Sequence, residues 1–165
     1  MVAQNVFFGI LALVMGVSAI RVVTVKNVVH AALYLVLVFA GVAGIFILLA
    51  AEFLAVVQVL VYIGAILVLF LFGTMLTRAP IGRTPDLDNP AGQRGLSALV
   101  ALALFGFLGA ILVDAFSDSK VEPTGVVTSS DVALSIFQDY VIPFEVISIL
   151  LTAALIGAVV IARRD

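Results

Sequence analysis

Long apolar runs separated by short polar clusters dominate the chain. A bilayer-spanning helix takes about 20 predominantly apolar residues, and five runs meet that length, at about residues 3–20, 28–50, 53–76, 96–116 and 140–162. Backbone polar groups find no partner in lipid, so spanning segments are either helices or strands of a closed barrel. Barrel strands alternate apolar and polar positions. Runs such as AILVLFLF do not alternate, so the pattern predicts an all-α, polytopic protein with five transmembrane helices in a single membrane domain, residues 1–165. The first run has no basic segment before it and no clear small-residue cleavage site after it, and reads as a retained helix rather than a signal peptide.

The connections sharpen this picture. Little more than Ala51 and Glu52 joins the second and third runs, which makes those helices antiparallel neighbours. The loop 77–95 is rich in Pro, Gly and Asp and reads as irregular. The loop 117–139 opens polar. Its later part, SSDVALSIFQDY, reads as a short interfacial helix capped by Ser130 or Asp131. No internal repeat marks an inverted-repeat transporter.

Composition agrees: 64% of the 165 residues are hydrophobic and 11% charged, against roughly 45–50% and about 25% in soluble domains. A net charge of −2 argues against nucleic-acid binding. With no Cys and one His, His30, the chain offers no disulfide, no iron–sulfur ligation and no zinc site of the His or Cys type. Arg21, Lys26, Arg78, Arg83, Arg94, Arg163 and Arg164 all fall on one side of the predicted topology, and only Lys120 on the other. The positive side is cytoplasmic, which puts the N-terminus outside and the C-terminus inside. Glu52, Asp118, Glu122, Asp131 and Asp139 gather on the outer side.

Candidate chemistry is sparse. In the third span Gln58 and Tyr62 are four residues apart and share a face on an α-helix, with Gly64 two residues further on. One reading has Tyr62 and Gln58 bonding to a neighbouring helix and Gly64 as a close packing contact. The other has a weak point in the helical ladder, where a π-bulge re-aims side chains. In YVIPFE, Pro143 suits a first helical turn. Glu145 then either complements the positive end of the helix dipole or faces water or a partner. His30 reads as interfacial, Glu52 as solvated and Asp114 as snorkelling to the interface. No span carries an acid or base at its centre, so the chain is not expected to pump ions alone. No catalytic residue, nucleotide-binding loop or metal-ligand set is found.

The stretch NVVHAALYLVLVFAGVAGIFILLAAEFLAVVQVLVYIGAILVLFLFGTML and the closing YVIPFEVISILLTAALIGAVVIARRD resemble subunit J of bacterial NADH-quinone oxidoreductase, respiratory complex I, whose mitochondrial counterpart is NADH dehydrogenase subunit six. One departure is that Asn27 is followed by Val28, where the family often has Asn-Pro. The resemblance implies a non-catalytic subunit of a proton-translocating enzyme that couples NADH oxidation to quinone reduction in the bacterial plasma membrane. FMN, iron–sulfur clusters and the quinone would be held by other subunits. The implied partners are the H-type quinone-site subunit, the small K-type subunit and the antiporter-like subunits, especially that of N type. It also implies a π-bulge in the third helix near Tyr62, Gly64 and Ala65, whose interconversion with an α form gates a water path. Val61 and Val68 would then help to dry that path, and Gln58 and Tyr62 would supply polar groups that change direction. A related complex fed by ferredoxin, F(420)H(2) or a hydrogenase is the alternative, and a small independent transporter a more distant one.

Overall fold

A computed structural model describes residues 2–76, 91–117 and 127–163. The described residues form helices and no strand: α1 (Val2–Thr24), α2 (Val28–Leu48), α3 (Glu52–Leu76), α4 (Ala91–Phe116), α5 (Ser129–Gln138) and α6 (Val141–Ala162). All but α5 are long and apolar enough to cross a membrane. Of the loop 77–95, read as irregular, residues 91–95 instead open α4; residues 77–90 and 118–126 lie outside the described residues.

The helix ends follow capping chemistry more closely than charge. α1 runs past Arg21 to Thr24, four residues beyond the end of the apolar run. A single cation does not stop a helix, and Thr24 Oγ1 donates back to the Ile20 carbonyl at 2.9 Å. Asn27 supplies the N-cap of α2, its side chain accepting from the backbone N–H groups of Val29 at 2.9 Å and His30 at 3.5 Å. The helix therefore opens at Val28 without the Pro.

α2 stops at Leu48 rather than Ala50 because the chain turns sharply there. Ala50 has φ 56°. The Ala50 N–H donates to the Ile47 carbonyl at 3.0 Å, and that of Ala51 to the Phe46 carbonyl at 2.9 Å. This is a Schellman ending with Ala where Gly is usual. Gln4 Nε2 donates to the Leu48 carbonyl at 3.1 Å, satisfying one of the carbonyls that a helix end leaves open and pinning the start of α1 to the end of α2.

α2 is the middle helix. α1 and α3 each pack on it and not on each other. Small residues set the α1–α2 distance: a Cβ added at Gly41 would overlap the Met15 side chain, and one at Gly44 would lie 3.1 Å from Leu11 Cδ1. The buried apolar core comprises Ala32, Ala43, Ala55 and Leu67, joined by Ser18 and Gln58 as buried polar residues. α5 touches the first part of α3 and the start of α6, where the Phe137 and Phe144 rings meet edge-on at 5.1 Å. Among the described residues α6 packs on α5 alone, and α4 on no other element.

α5 corrects one expectation. Its cap is Thr128 rather than Ser130 or Asp131. Asp131 occupies the third helical position and closes a capping box: its Oδ2 accepts from Thr128 N (2.9 Å) and Oγ1 (2.8 Å), while its own N–H donates to Thr128 Oγ1 (3.3 Å).

Candidate functional site

The third helix is continuous from Glu52 to Leu76, but its middle is not α-helical. Glu52–Val57 is α, Gln58–Leu67 is a ten-residue π-helix, and Val68–Leu76 is α again. π-Helices are rare and mostly limited to a single turn, often at functional sites. Gln58, Val61, Tyr62, Gly64 and Ala65 all lie inside the π segment, and Val68 is the first α residue after it.

The π geometry shows in the burial pattern. Along α3 the covered positions are Ala55, Val57, Gln58, Ile63, Leu67, Leu71 and Thr74. An α-helical seam advances in steps of three or four. The step from Gln58 to Ile63 is five, which matches one extra residue per turn. Ile63 thereby takes the place in the seam that an α-helix gives to Tyr62.

Gln58 is only 8% exposed and packs toward α2, whereas Tyr62 is 44% exposed. The Tyr62 ring meets Phe39 of α2 edge-on, with centroids 5.5 Å apart and planes at 67°. Such aromatic pairs contribute about 0.5–1.5 kcal/mol beyond their buried area. The Gln58 carboxamide and the Tyr62 hydroxyl make no hydrogen bond to another described residue. No described side-chain nitrogen or oxygen is both sealed off and unpartnered. Both polar groups therefore open to the surroundings of the bundle.

Within this chain Gly64 is not a close packing contact. It is exposed, and a Cβ built on it meets only the Val59 carbonyl of its own helix, at 3.4 Å. That carbonyl lies five residues back, at the π spacing. What Gly64 gives the segment is backbone latitude, since Gly holds helical geometry least firmly.

Glu145 also departs from expectation. α6 opens at Val141, so Glu145 is its fifth residue, and no acid lies in the first turn. The dipole effect is concentrated in that turn and so accounts poorly for Glu145, whose side chain is exposed. Pro143 does fall in the first turn. Glu52 opens α3 in an exposed position, and His30 and Asp114 are likewise exposed near the start of α2 and the end of α4. No group of three or more His, Cys, Asp or Glu among the described residues is placed to hold a metal ion.

Sequence reasoning missed Phe39, whose pairing with Tyr62 joins two helices and leaves no local signal. It also missed the length of the π segment.

Residues 18–161 match the family described as NADH-ubiquinone/plastoquinone oxidoreductase chain 6. The chain is 42% identical to F(420)H(2) dehydrogenase subunit J of Methanosarcina mazei, the match covering 98% of this chain and 92% of that protein. It is 41% identical to NAD(P)H-quinone oxidoreductase chain 6 of Leptolyngbya boryana, over 98% and 81%. With the protein of that name from Synechocystis it shares 38%, over 98% and 82%.

Proposed function

The chain belongs to the NADH-ubiquinone/plastoquinone oxidoreductase chain 6 family, and from that premise we propose that it is a non-catalytic membrane-arm subunit of a proton-translocating quinone oxidoreductase, with α3 as a conformational gate. The observation that carries this reading is the π-helical Gln58–Leu67 segment, set within a span that has no ionisable residue between Phe53 and Leu76 other than Tyr62. A gate need not titrate; it needs an element with two arrangements of similar energy. Returning one π turn to α bonding would shift the register by one residue and turn the helix beyond it by roughly 100°. Tyr62 and Gln58 would present their polar groups in a new direction. Val61, Val68 and Leu69 would open or dry a water path according to the form adopted. Gly64 lowers the cost of the exchange, and proton carriers would be side chains of neighbouring subunits.

The quinone and the redox centres belong to other subunits in this reading, since iron–sulfur clusters are held chiefly by Cys thiolates and this chain has none. Its neighbours would be the quinone-site subunit, a small subunit of the K type and antiporter-like subunits including that of N type. The Lys and Arg distribution supports a cytoplasmic C-terminus, and the membrane in this reading is a bacterial plasma membrane. A second reading keeps the same role with another electron donor, supported by the 42% identity to an F(420)H(2) dehydrogenase subunit.

The test is gentle detergent extraction through an affinity tag on this chain, followed by mass spectrometry of what accompanies it. Recovery with quinone-site, antiporter-like and NADH-binding subunits supports the first reading. Recovery with the same membrane subunits but F(420)H(2)-oxidising ones supports the second. A stable homo-oligomer recovered alone overturns both and leaves the independent transporter.

A further inference from the structure

α6 carries a polar seam that no described part of the chain covers. Glu145, Ser148 and Thr152 recur at helical spacing on one side of an otherwise apolar helix and are all exposed. With Ile149, Ala153 and Ile156 they fall within one face, and all but Glu145 line an open groove of about 410 Å³. The hydroxyls are already committed as donors: Ser148 Oγ donates to the Phe144 carbonyl and Thr152 Oγ1 to the Ser148 carbonyl, each at 3.0 Å. Their lone pairs face outward, and an ionised carboxylate only accepts. The seam therefore offers acceptors and no free donor.

Glu145 lies about 6 Å along α6, where an unpaired acid in an apolar span is costly. Among the described residues, Arg21, Lys26 and Arg163 sit at the ends of α1, α2 and α6 remote from it, and Lys120 lies outside the described residues. A second copy of this face would set Glu145 against another acid, and anionic lipid phosphates would be repelled. Charge complementarity calls for an occupant that brings a cation and hydrogen-bond donors, and a groove that continues from Ser148 to Ile156 along the span favours a helix over a lipid headgroup.

We infer that the Glu145–Ser148–Thr152 face docks a membrane-spanning helix of another subunit that brings a Lys or Arg side chain to Glu145 and hydrogen-bond donors to the groove. The inference rests on the chain being a subunit of a membrane complex. Ala153 keeps the groove shallow-walled enough for close helix approach, as small residues do at such contacts.

The experiment uses the assembled complex in native membranes, with a photocrosslinking amino acid at Thr152 or, as a control on the opposite face, at Ala154. Glu145→Gln and Glu145→Lys are scored for the ratio of assembled to free chain. A crosslink from Thr152 to one transmembrane helix of another subunit is expected, with Ala154 giving a different product. Glu145→Gln should lower the assembled-to-free ratio by about three- to thirtyfold, the range for hydrogen bonds between membrane helices. Loss in Glu145→Lys should be restored when the crosslinked helix's own Lys or Arg is changed to Glu. If partner subunits co-purify but Thr152 labels only lipid or a second copy of this chain, the docking face is wrong and the subunit reading stands. Assembly of Glu145→Gln at the parental ratio would exclude the docking face in the same way. If no subunit co-purifies, both fall.

Discussion

At the residue scale, Ala50 is the position where the backbone works against its side chain. Its φ of 56° is the left-handed region, which costs a non-Gly residue roughly 1–2 kcal/mol. The turn persists because its two hydrogen bonds and the short link to α3 leave no other route. Ala50→Gly is thus expected to stabilise the α2–α3 hairpin by about 1 kcal/mol, read as a rise in the thermal midpoint of the detergent-solubilised complex. No change or a fall would mean that the turn relaxes in the assembled protein. Apolar run length had placed the end of α2 near residue 50, but the turn itself was invisible, because the Gly that usually announces it is missing. Tyr62 poses a separate question. Its ring is held by Phe39, while its hydroxyl has no described partner. Tyr62→Phe should leave assembly intact and, if the hydroxyl binds water or a neighbouring subunit, lower quinone-reductase turnover about two- to tenfold, the worth of one hydrogen bond. Unchanged turnover would confine Tyr62 to packing.

At the element scale, the π segment of α3 carries the functional argument. Gly64→Val adds a β-branched side chain where only the Val59 carbonyl lies close, so the fold should accept it. A stiffer χ1 and a crowded i−5 carbonyl should bias the segment toward one form. We expect normal assembly with fewer protons translocated per quinone reduced, measured in sealed vesicles. A parental ratio would exclude Gly64 from the gate. The residues alone left a packing contact and a π-bulge both open at Tyr62 and Gly64, and they gave no sign of the ten-residue extent, because an i−4 and an i−5 carbonyl are equally available inside an apolar run.

α5 gives a pH-dependent counterpart. The Thr128 N–H and hydroxyl hold the Asp131 carboxyl below its ordinary value. The capping box therefore contributes fully above the usual carboxylate range and is lost as pH falls through the lowered value. Amide protection at the start of α5 should drop in that acid window, and Thr128→Ala should shift the loss to higher pH. Protection independent of pH would show that Phe137 against Phe144 holds the helix by itself.

At the scale of the whole molecule, the chain exposes 13578 Å², whereas a compact monomer of 17.3 kDa exposes about 7,800 Å². Large apolar side chains on α4 and α6 stand exposed: Phe105 is 79% exposed and Ile161 85%. Lipid satisfies such surfaces chemically, but it does not position helices. With α4 unpacked and α6 held only by α5, the α1–α2–α3 bundle is the main part whose arrangement the described residues fix internally. The number of spans and their approximate positions were readable from apolar runs, while their ends were not, since α1 runs on to Thr24 and α4 opens at Ala91, and neither was their arrangement, because α4 and α6 make so few contacts with the rest of the described chain. The chain made alone should therefore insert yet be cleared quickly, since membrane proteases recognise unplaced helices. Co-expression with the neighbouring membrane subunits should raise its steady-state level severalfold and slow hydrogen exchange in α4 and α6, with little change in α2. Equal levels and equal exchange with and without those subunits would mean that α4 and α6 find their places unaided, and would remove the physical reason for treating this chain as part of a larger assembly.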